Sequence, residues 1–260
     1  MKFEQLSTIE NKIIPKNFQG EQGDVVFRGE GKFKANQELY AYSAKNFANI
    51  IKEKLLLRDE PYILADLGGH KGELLGNIIS QLPDYKFETI GIDLNEDALR
   101  ENLIANKKVV ASLDKLPFAD KSIDVAIARY VLSWNNIDGQ RNILNEIARV
   151  VKNFGIVEHG GAPRESAELW RNGFNQLFNG EQIPSLKRDI HFFSSGNELE
   201  NLMIESGISF ECVSDKKIDN VSDVFIEKWK LNEDDASKAK EILNDKDYII
   251  QTRWVIYPKE

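Results

Sequence analysis

The chain has one cysteine, Cys212, so no disulfide can close within it, and a lone thiol fits a reducing compartment. Histidine is equally sparse. His70, His159 and His191 stand far apart, no cluster has metal-ligand spacing, and no metal is expected. No apolar run approaches the roughly 20 residues of a membrane span, so no membrane partner is expected. The opening Met1–Gln5 lacks the basic-then-apolar layout of a secretory signal, from which a cytoplasmic protein is expected. Positive charge is in short supply: 34 Lys and Arg against 42 Asp and Glu leave a net charge of −8. A protein that lives on nucleic acid needs a basic footprint, so no nucleic-acid partner is expected.

What is present describes a globular α/β protein. At 260 residues and 42% hydrophobic content, the chain suits one medium domain, or one with an elaborated cap. Residues 1–33 are polar and punctuated by Gly20, Gly23, Gly29 and Gly31, an irregular arm that is either loosely ordered or a lid. A helix is expected from about Gln37 to Leu57, with Leu39, Phe47, Ile50, Ile51 and Leu55 on one stripe. Residues 1–60 are thus an arm and helix, and 61–260 the main domain.

Strands and helices then alternate. Strands are expected at Ile63–Leu67, Phe87–Asp93, Val109–Ala111, Ile123–Ala128 and Phe154–His159. Between them lie helices from Gly72 to Leu82, from the cap Asn95, and over 137–151, where Ile143, Leu144, Ile147, Val150 and Val151 make the clearest helical stripe. This rhythm is that of a doubly wound parallel sheet, which binds ligands beyond the carboxyl ends of its strands. After Gly160 it breaks. A helix carrying Trp170, Phe174, Leu177 and Phe178, a helix at Gly196–Ser206, a strand at Ile208–Val213 and two short helices at 222–230 and 233–243 precede a closing strand, Tyr248–Tyr257, expected to run antiparallel.

The most telling stretch is Ala65-Asp66-Leu67-Gly68-Gly69-His70-Lys71-Gly72, a strand running into a glycine-rich turn that opens a helix. Three glycines within five residues let the backbone turn sharply and approach a ligand, with free N–H groups facing an anion. Asp93 closes the next strand, where a ribose diol is read.

Four segments together resemble the class I S-adenosylmethionine-dependent methyltransferases, in their broad small-molecule branch. Residues 65–72 look like the D-x-G-x-G-x-G cofactor loop, with His70 in place of the middle glycine. Ile90–Asn95 looks like the second strand and its ribose-binding acid. Leu116–Asp124 is close to L-P-F-x-D-x-S-F-D, and Asn145–Lys152 is similar to the E-x-x-R-V-L-K helix. The helix-ending P-G-G is replaced by Asn153-Phe154-Gly155.

The resemblance implies a seven-stranded, mostly parallel sheet with the last strand antiparallel, helical cap insertions, and S-adenosyl-L-methionine as cofactor. It implies that Asp66, Gly68, Gly69, His70 and Gly72 cradle the amino-acid end, Asp93 and Leu94 the ribose, and Ser112 and Leu113 the adenine, with Asp114 close by. Arg129 would bind the cofactor carboxylate or an acidic substrate. The acceptor would be a small molecule, shaped by residues 160–246. Acceptor-side candidates follow strands four and five: Arg129, Tyr130, Ser133, Trp134 and Asn135, then Glu158 and His159, with His159 as candidate base. His191, Phe192 and Phe193 could close that side; Tyr40 and Tyr42 could belong to a lid. Cys212 reads as a small buried strand residue.

Three rivals make different demands. A non-catalytic descendant of the fold would act as regulator or partner subunit. A dinucleotide oxidoreductase needs Gly-x-Gly-x-x-Gly, a spacing that from Gly68 lands on His70 and Glu73. A nucleic-acid base methyltransferase would carry an Asp/Asn-Pro-Pro-Tyr/Phe motif where this chain reads Ala128-Arg129-Tyr130-Val131.

Overall fold

The computed structural model describes residues 34–162, 194–220, 231–243 and 248–259, with isolated positions between. The elements are α1 (Lys34–Lys54), β1 (Tyr62–Leu67), α2 (Glu73–Ser80), β2 (Phe87–Asp93), α3 (Glu96–Glu101), β3 (Lys107–Val110), β4 (Ile123–Arg129), α4 (Ile137–Val150), β5 (Val151–Gly161), α5 (Gly196–Glu205), β6 (Phe210–Asp219), α6 (Glu233–Leu243) and β7 (Tyr248–Ile256). The arm at 1–33, the Trp170, Phe174 and Phe178 stripe apart from buried Leu177, and His191, Phe192 and Phe193 lie outside the described residues.

Seven strands form one sheet in the order β3-β2-β1-β4-β5-β7-β6. The first five pair in parallel, and β7 runs antiparallel to both β5 and β6. The reversal of strand order at β1 and β4 is the switch point where an open α/β sheet leaves a crevice. Central strands are apolar on both faces, as burial between helix layers demands: Ile123 to Ala128 of β4 are all buried.

Because successive strand residues point to opposite faces, the two cores sort by parity. Leu64, Val125, Ile127, Ile156 and Val255 pack with Phe47 and Ile51 of α1 and Leu75 and Ile78 of α2. Ala65, Ala126, Val157 and Trp254 pack with Ile143, Leu144 and Ile147 of α4 and Met203 of α5. The same parity puts Asp66, Arg129, Glu158, Gln251 and Arg253 on the α1 face, and His159 on the α4–α5 face.

Several boundaries differ from the sequence reading. Helix α4 passes straight into β5 at Val151, which starts the strand three residues early, since no proline or glycine pair interrupts the chain there. β4 continues to Arg129, so that arginine is a strand-end residue. β6 extends to Asp219. Cys212 is exposed rather than buried, because β6 is the sheet edge and shows its face to solvent. Among the described residues no helix is long and apolar enough to cross a membrane.

Candidate functional site

The loop after β1 is stitched to β2. The amides of Gly68 and Gly69 both donate to the Ile92 carbonyl, at 2.8 and 3.1 Å. Gly68, His70 and Gly72 all have left-handed backbone, with φ of 75°, 42° and 81°. His70 holds this conformation without being glycine, at a cost of roughly 1 kcal/mol or more. Two bonds fix it: its N–H donates to Asp93 Oδ2 at 3.0 Å, and its carbonyl accepts from Asn102 Nδ2 at 3.3 Å. The histidine therefore preserves the turn that the middle glycine would make. At Gly69 a side chain has no room, since a Cβ would lie 2.8 Å from Asp66 Cγ.

Asp66 is 2% exposed, and its Oδ2 has no partner among the described residues. Burial, helped by the charge of Asp93, pushes its pKa up to about 7. Asp93 is half-buried: Oδ2 takes the His70 amide and Oδ1 the Asn95 amide at 2.9 Å, which ties the strand end to the start of α3. Asn95 caps α3 through the Ala98 amide, as its position led us to expect. Leu94 is half-buried beside it. The Ala111 amide bonds to the Asp93 carbonyl at 3.2 Å, which brings Ser112 and Leu113, both half-buried, to the same edge. The Ser112 hydroxyl donates to Asp114, which is exposed. Asp66, Gly68, Gly69, His70, Gly72, Asp93, Leu94, Ser112 and Leu113 thus lie along the carboxyl ends of three adjacent strands.

Asn102 went unnoticed in the sequence. Fully buried after α3, it accepts from the Ile104 and Ala105 amides while holding His70, and its side chain fills the space a Cβ on Gly72 would need.

Beneath α1, on the same sheet face as Asp66, is a layer of buried polar groups. Glu158 Oε1 accepts from Ser43 Oγ at 2.6 Å, Gln251 Nε2 at 2.8 Å and Arg129 Nε at 3.0 Å. Its Oε2 faces Arg253 Nε at 2.5 Å, off the line of a hydrogen bond. The guanidinium of Arg129 lies 4.2 Å from the ring centres of both Tyr40 and Tyr130. Tyr130 has φ 57°, and its hydroxyl accepts from Gln251 at 2.7 Å. Burial drives its pKa far above the usual phenol range. Tyr42 stacks on Arg253 and Lys216. Ser43, Gln251 and Arg253 gave no sequence signal.

Glu158 is fully buried among Ser43, Gln251 and the two arginines, which removes it from the groups open to an acceptor. On the opposite face His159 is 1% exposed, with Nε2 3.0 Å from the Ser194 carbonyl and Nδ1 without a partner among the described residues. Burial lowers its pKa to about 4. Ser194 Oγ donates to Gln140 at 2.7 Å, and Gln140 Nε2 reaches the Leu132 and Asn135 carbonyls. The Ser133 hydroxyl and the Asn135 amide are spent within their own turn, on the Tyr130 and Val131 carbonyls, and Trp134 is half-buried beside them. No metal-holding group occurs among the described residues.

Sheet order, the Gly-rich loop at the switch point and the acids closing β1 and β2 define a class I methyltransferase architecture. Residues 70–158 match a family model described as Methyltransferase domain. No curated protein matches the chain. The chain is similar to the YcgJ protein of Bacillus subtilis, with a TM-score of 0.63 and 16% identity over 84% of this chain and 100% of that one. It is also similar to a geranyl diphosphate C-methyltransferase of Streptomyces coelicolor A3(2), seen with Mg2+, geranyl-S-thiolodiphosphate and S-adenosyl-L-homocysteine. There the TM-score is 0.52 and the identity 12%, over 82% of this chain and 75% of that one. The [4+2]-cyclase SpnF has the same fold, with a TM-score of 0.54 and 14% identity over 83% and 82% of the two chains. The chain thus has the fold of these proteins, and its residues 70–158 carry the likeness to a methyltransferase domain.

Proposed function

We propose that the chain transfers a methyl group from S-adenosylmethionine to a small-molecule acceptor. The observation that carries this reading is Asp66: a buried carboxyl with an orphaned oxygen at a glycine loop, which suits the ammonium of an amino-acid cofactor. Gly68, Gly69, His70 and Gly72 give the backbone cradle, the two oxygens of Asp93 receive the ribose diol, and Leu94, Ser112 and Leu113 border the adenine. When bound, the cofactor supplies an electrophilic methyl on a sulfonium. The protein's work is alignment and exclusion of water, and alignment alone can supply roughly 7–11 kcal/mol in favourable cases.

On the acceptor side, Arg129 and Tyr130 at the tip of β4 form one wall. Tyr130 stays a phenol and can donate a hydrogen bond but not serve as base. His159, neutral at pH 7 and a weak base at a pKa of about 4, serves to orient the region around Ser194 rather than to remove a proton. Residues 160–246 are the segment that would shape the acceptor pocket, and α1 lies over the layer that holds Arg129. The SpnF likeness favours one second reading, a cofactor-holding fold turned to other work.

Incubation with methyl-labelled S-adenosylmethionine and a fractionated pool of cellular small molecules tests the proposal. Label entering a small-molecule fraction with the wild type, and not with Asp93→Ala, supports transfer. Cofactor binding with no transfer to any fraction favours the second reading.

A further inference from the structure

The layer beneath α1 holds more positive than negative charge. Arg129 and Arg253, with side chains 7% and 0% exposed, face a single carboxylate, Glu158, itself 0% exposed. Glu158 Oε1 is taken by Ser43, Gln251 and Arg129, and Oε2 lies in ion-pair contact with Arg253. Arg253 is engaged at both Nη nitrogens as well: Nη1 donates to Ser214 Oγ at 2.9 Å and Nη2 to Gln251 Oε1 at 3.0 Å, with Nε in ion-pair contact with Glu158 Oε2. Arg129 is not. Its Nε is used on Ser43 and Glu158, and beyond the Tyr40 hydroxyl no group among the described residues meets its two Nη nitrogens. The Arg129 fork, on a side chain 7% exposed, keeps donors that an anion entering the crevice can take.

Position tells which anion. Arg129 closes β4, one strand over from Asp66, and its Nε turns to Glu158 on β5, away from β1. The charge excess extends away from the loop. Arg129 ends the strand next to β1, and Arg253 sits on β7, two strands further, at about 4.8 Å per strand. That is the acceptor half of the crevice. Tyr40 and Tyr130 flank the Arg129 guanidinium, 4.2 Å from each ring centre, and a planar guanidinium suits a carboxylate through two parallel bonds.

We propose that Arg129 docks an organic carboxylate of the acceptor, end-on between the rings of Tyr40 and Tyr130, so that the substrate is an acidic small molecule. This rests on the methyl-transfer reading for placing the acceptor beside the cofactor cradle.

The test is a calorimetric titration of the protein loaded with S-adenosylhomocysteine. The probes are monocarboxylates from acetate to 3-phenylpropionate, each beside its neutral amide. The expected result is at least one acid binding tenfold or more tighter than its amide, a preference abolished in Arg129→Gln and partly kept in Arg129→Lys. The inference is overturned if no acid binds, if acids and amides bind alike to the wild type, or if the preference survives in Arg129→Gln. It is also overturned if Arg129→Gln loses S-adenosylhomocysteine tenfold yet keeps 5′-methylthioadenosine, since the arginine then serves the cofactor's own carboxylate. Wild-type affinity for S-adenosylhomocysteine, read in the loading step, tests the methyltransferase reading separately.

Discussion

Replacing Asp66 by asparagine should strengthen the empty protein and weaken the loaded one. In the folded chain the Asp66 carboxyl is buried with Oδ2 unpartnered and titrates at about 7, against 3.8 for the ordinary group. The raised value means that the unfolded chain ionises first. Stability is full below the ordinary pKa and is lost as pH rises through about 7, at roughly 1.4 kcal/mol per unit. The whole interval amounts to about 4 kcal/mol. Asparagine carries no charge, so its folded state escapes this loss, although its buried amide leaves donors unpaired at a pH-independent cost of about 1–3 kcal/mol. Between pH 5 and pH 8 the variant should therefore gain about 3 kcal/mol relative to the wild type, whatever the offset. Urea denaturation at both pH values measures this directly. Saturating S-adenosylhomocysteine should reverse the ranking at pH 8, because its ammonium neutralises the ionised Asp66. Parallel pH dependence in the two proteins, or undiminished ligand affinity in the variant, would refute the reasoning.

Other groups give sharper local tests. Asn102→Ala leaves the Ile104 and Ala105 amides and the His70 carbonyl without their partner, and should cost about 2–4 kcal/mol in urea unfolding and loosen cofactor binding. Glu158→Gln removes the counter-charge of two buried arginines and should cost about 3–5 kcal/mol in thermal denaturation; a change under about 1 kcal/mol would mean that the layer is solvated. His159 has a lowered pKa, so its stability contribution falls as pH drops from 6.5 toward about 4, by up to about 3 kcal/mol. His159→Gln should flatten that acid limb in pH-dependent unfolding, and a methyl-transfer profile with an inflection near 6.5 that His159→Gln abolishes would contradict its assignment as a neutral, orienting group.

Much of the fold around the glycine loop was legible because its signals are local. The alternation of strands and helices, the Asn95 cap, the stripe at Ile143, Leu144 and Ile147, and Asp93 at a strand end all depend on neighbours within a few residues. The polar layer beneath α1 was less so. Glu158 reads as an acid at the end of an apolar strand, yet its partners Ser43 and Gln251 lie 115 and 93 residues away. Nothing in Thr252-Arg253-Trp254 marks the arginine as buried; that follows only from its register against Glu158 across the antiparallel pair. Cys212 misled for a related reason, since an edge strand and a central one share the same β-rich composition and only the topology separates them. His70 shows the converse, where a residue that breaks a motif keeps its geometry because Asp93 and Asn102 hold the backbone from both sides.

Whether the loop joining β1 to α2 holds S-adenosylmethionine decides the methyl-transfer reading. Calorimetric titration of the purified chain with S-adenosylmethionine and S-adenosylhomocysteine, with NAD as control and Asp93→Ala alongside, measures this most directly. The account predicts micromolar binding of both sulfur ligands, no binding of NAD, and loss of binding in the variant. A well-folded wild type that binds neither sulfur ligand would contradict it.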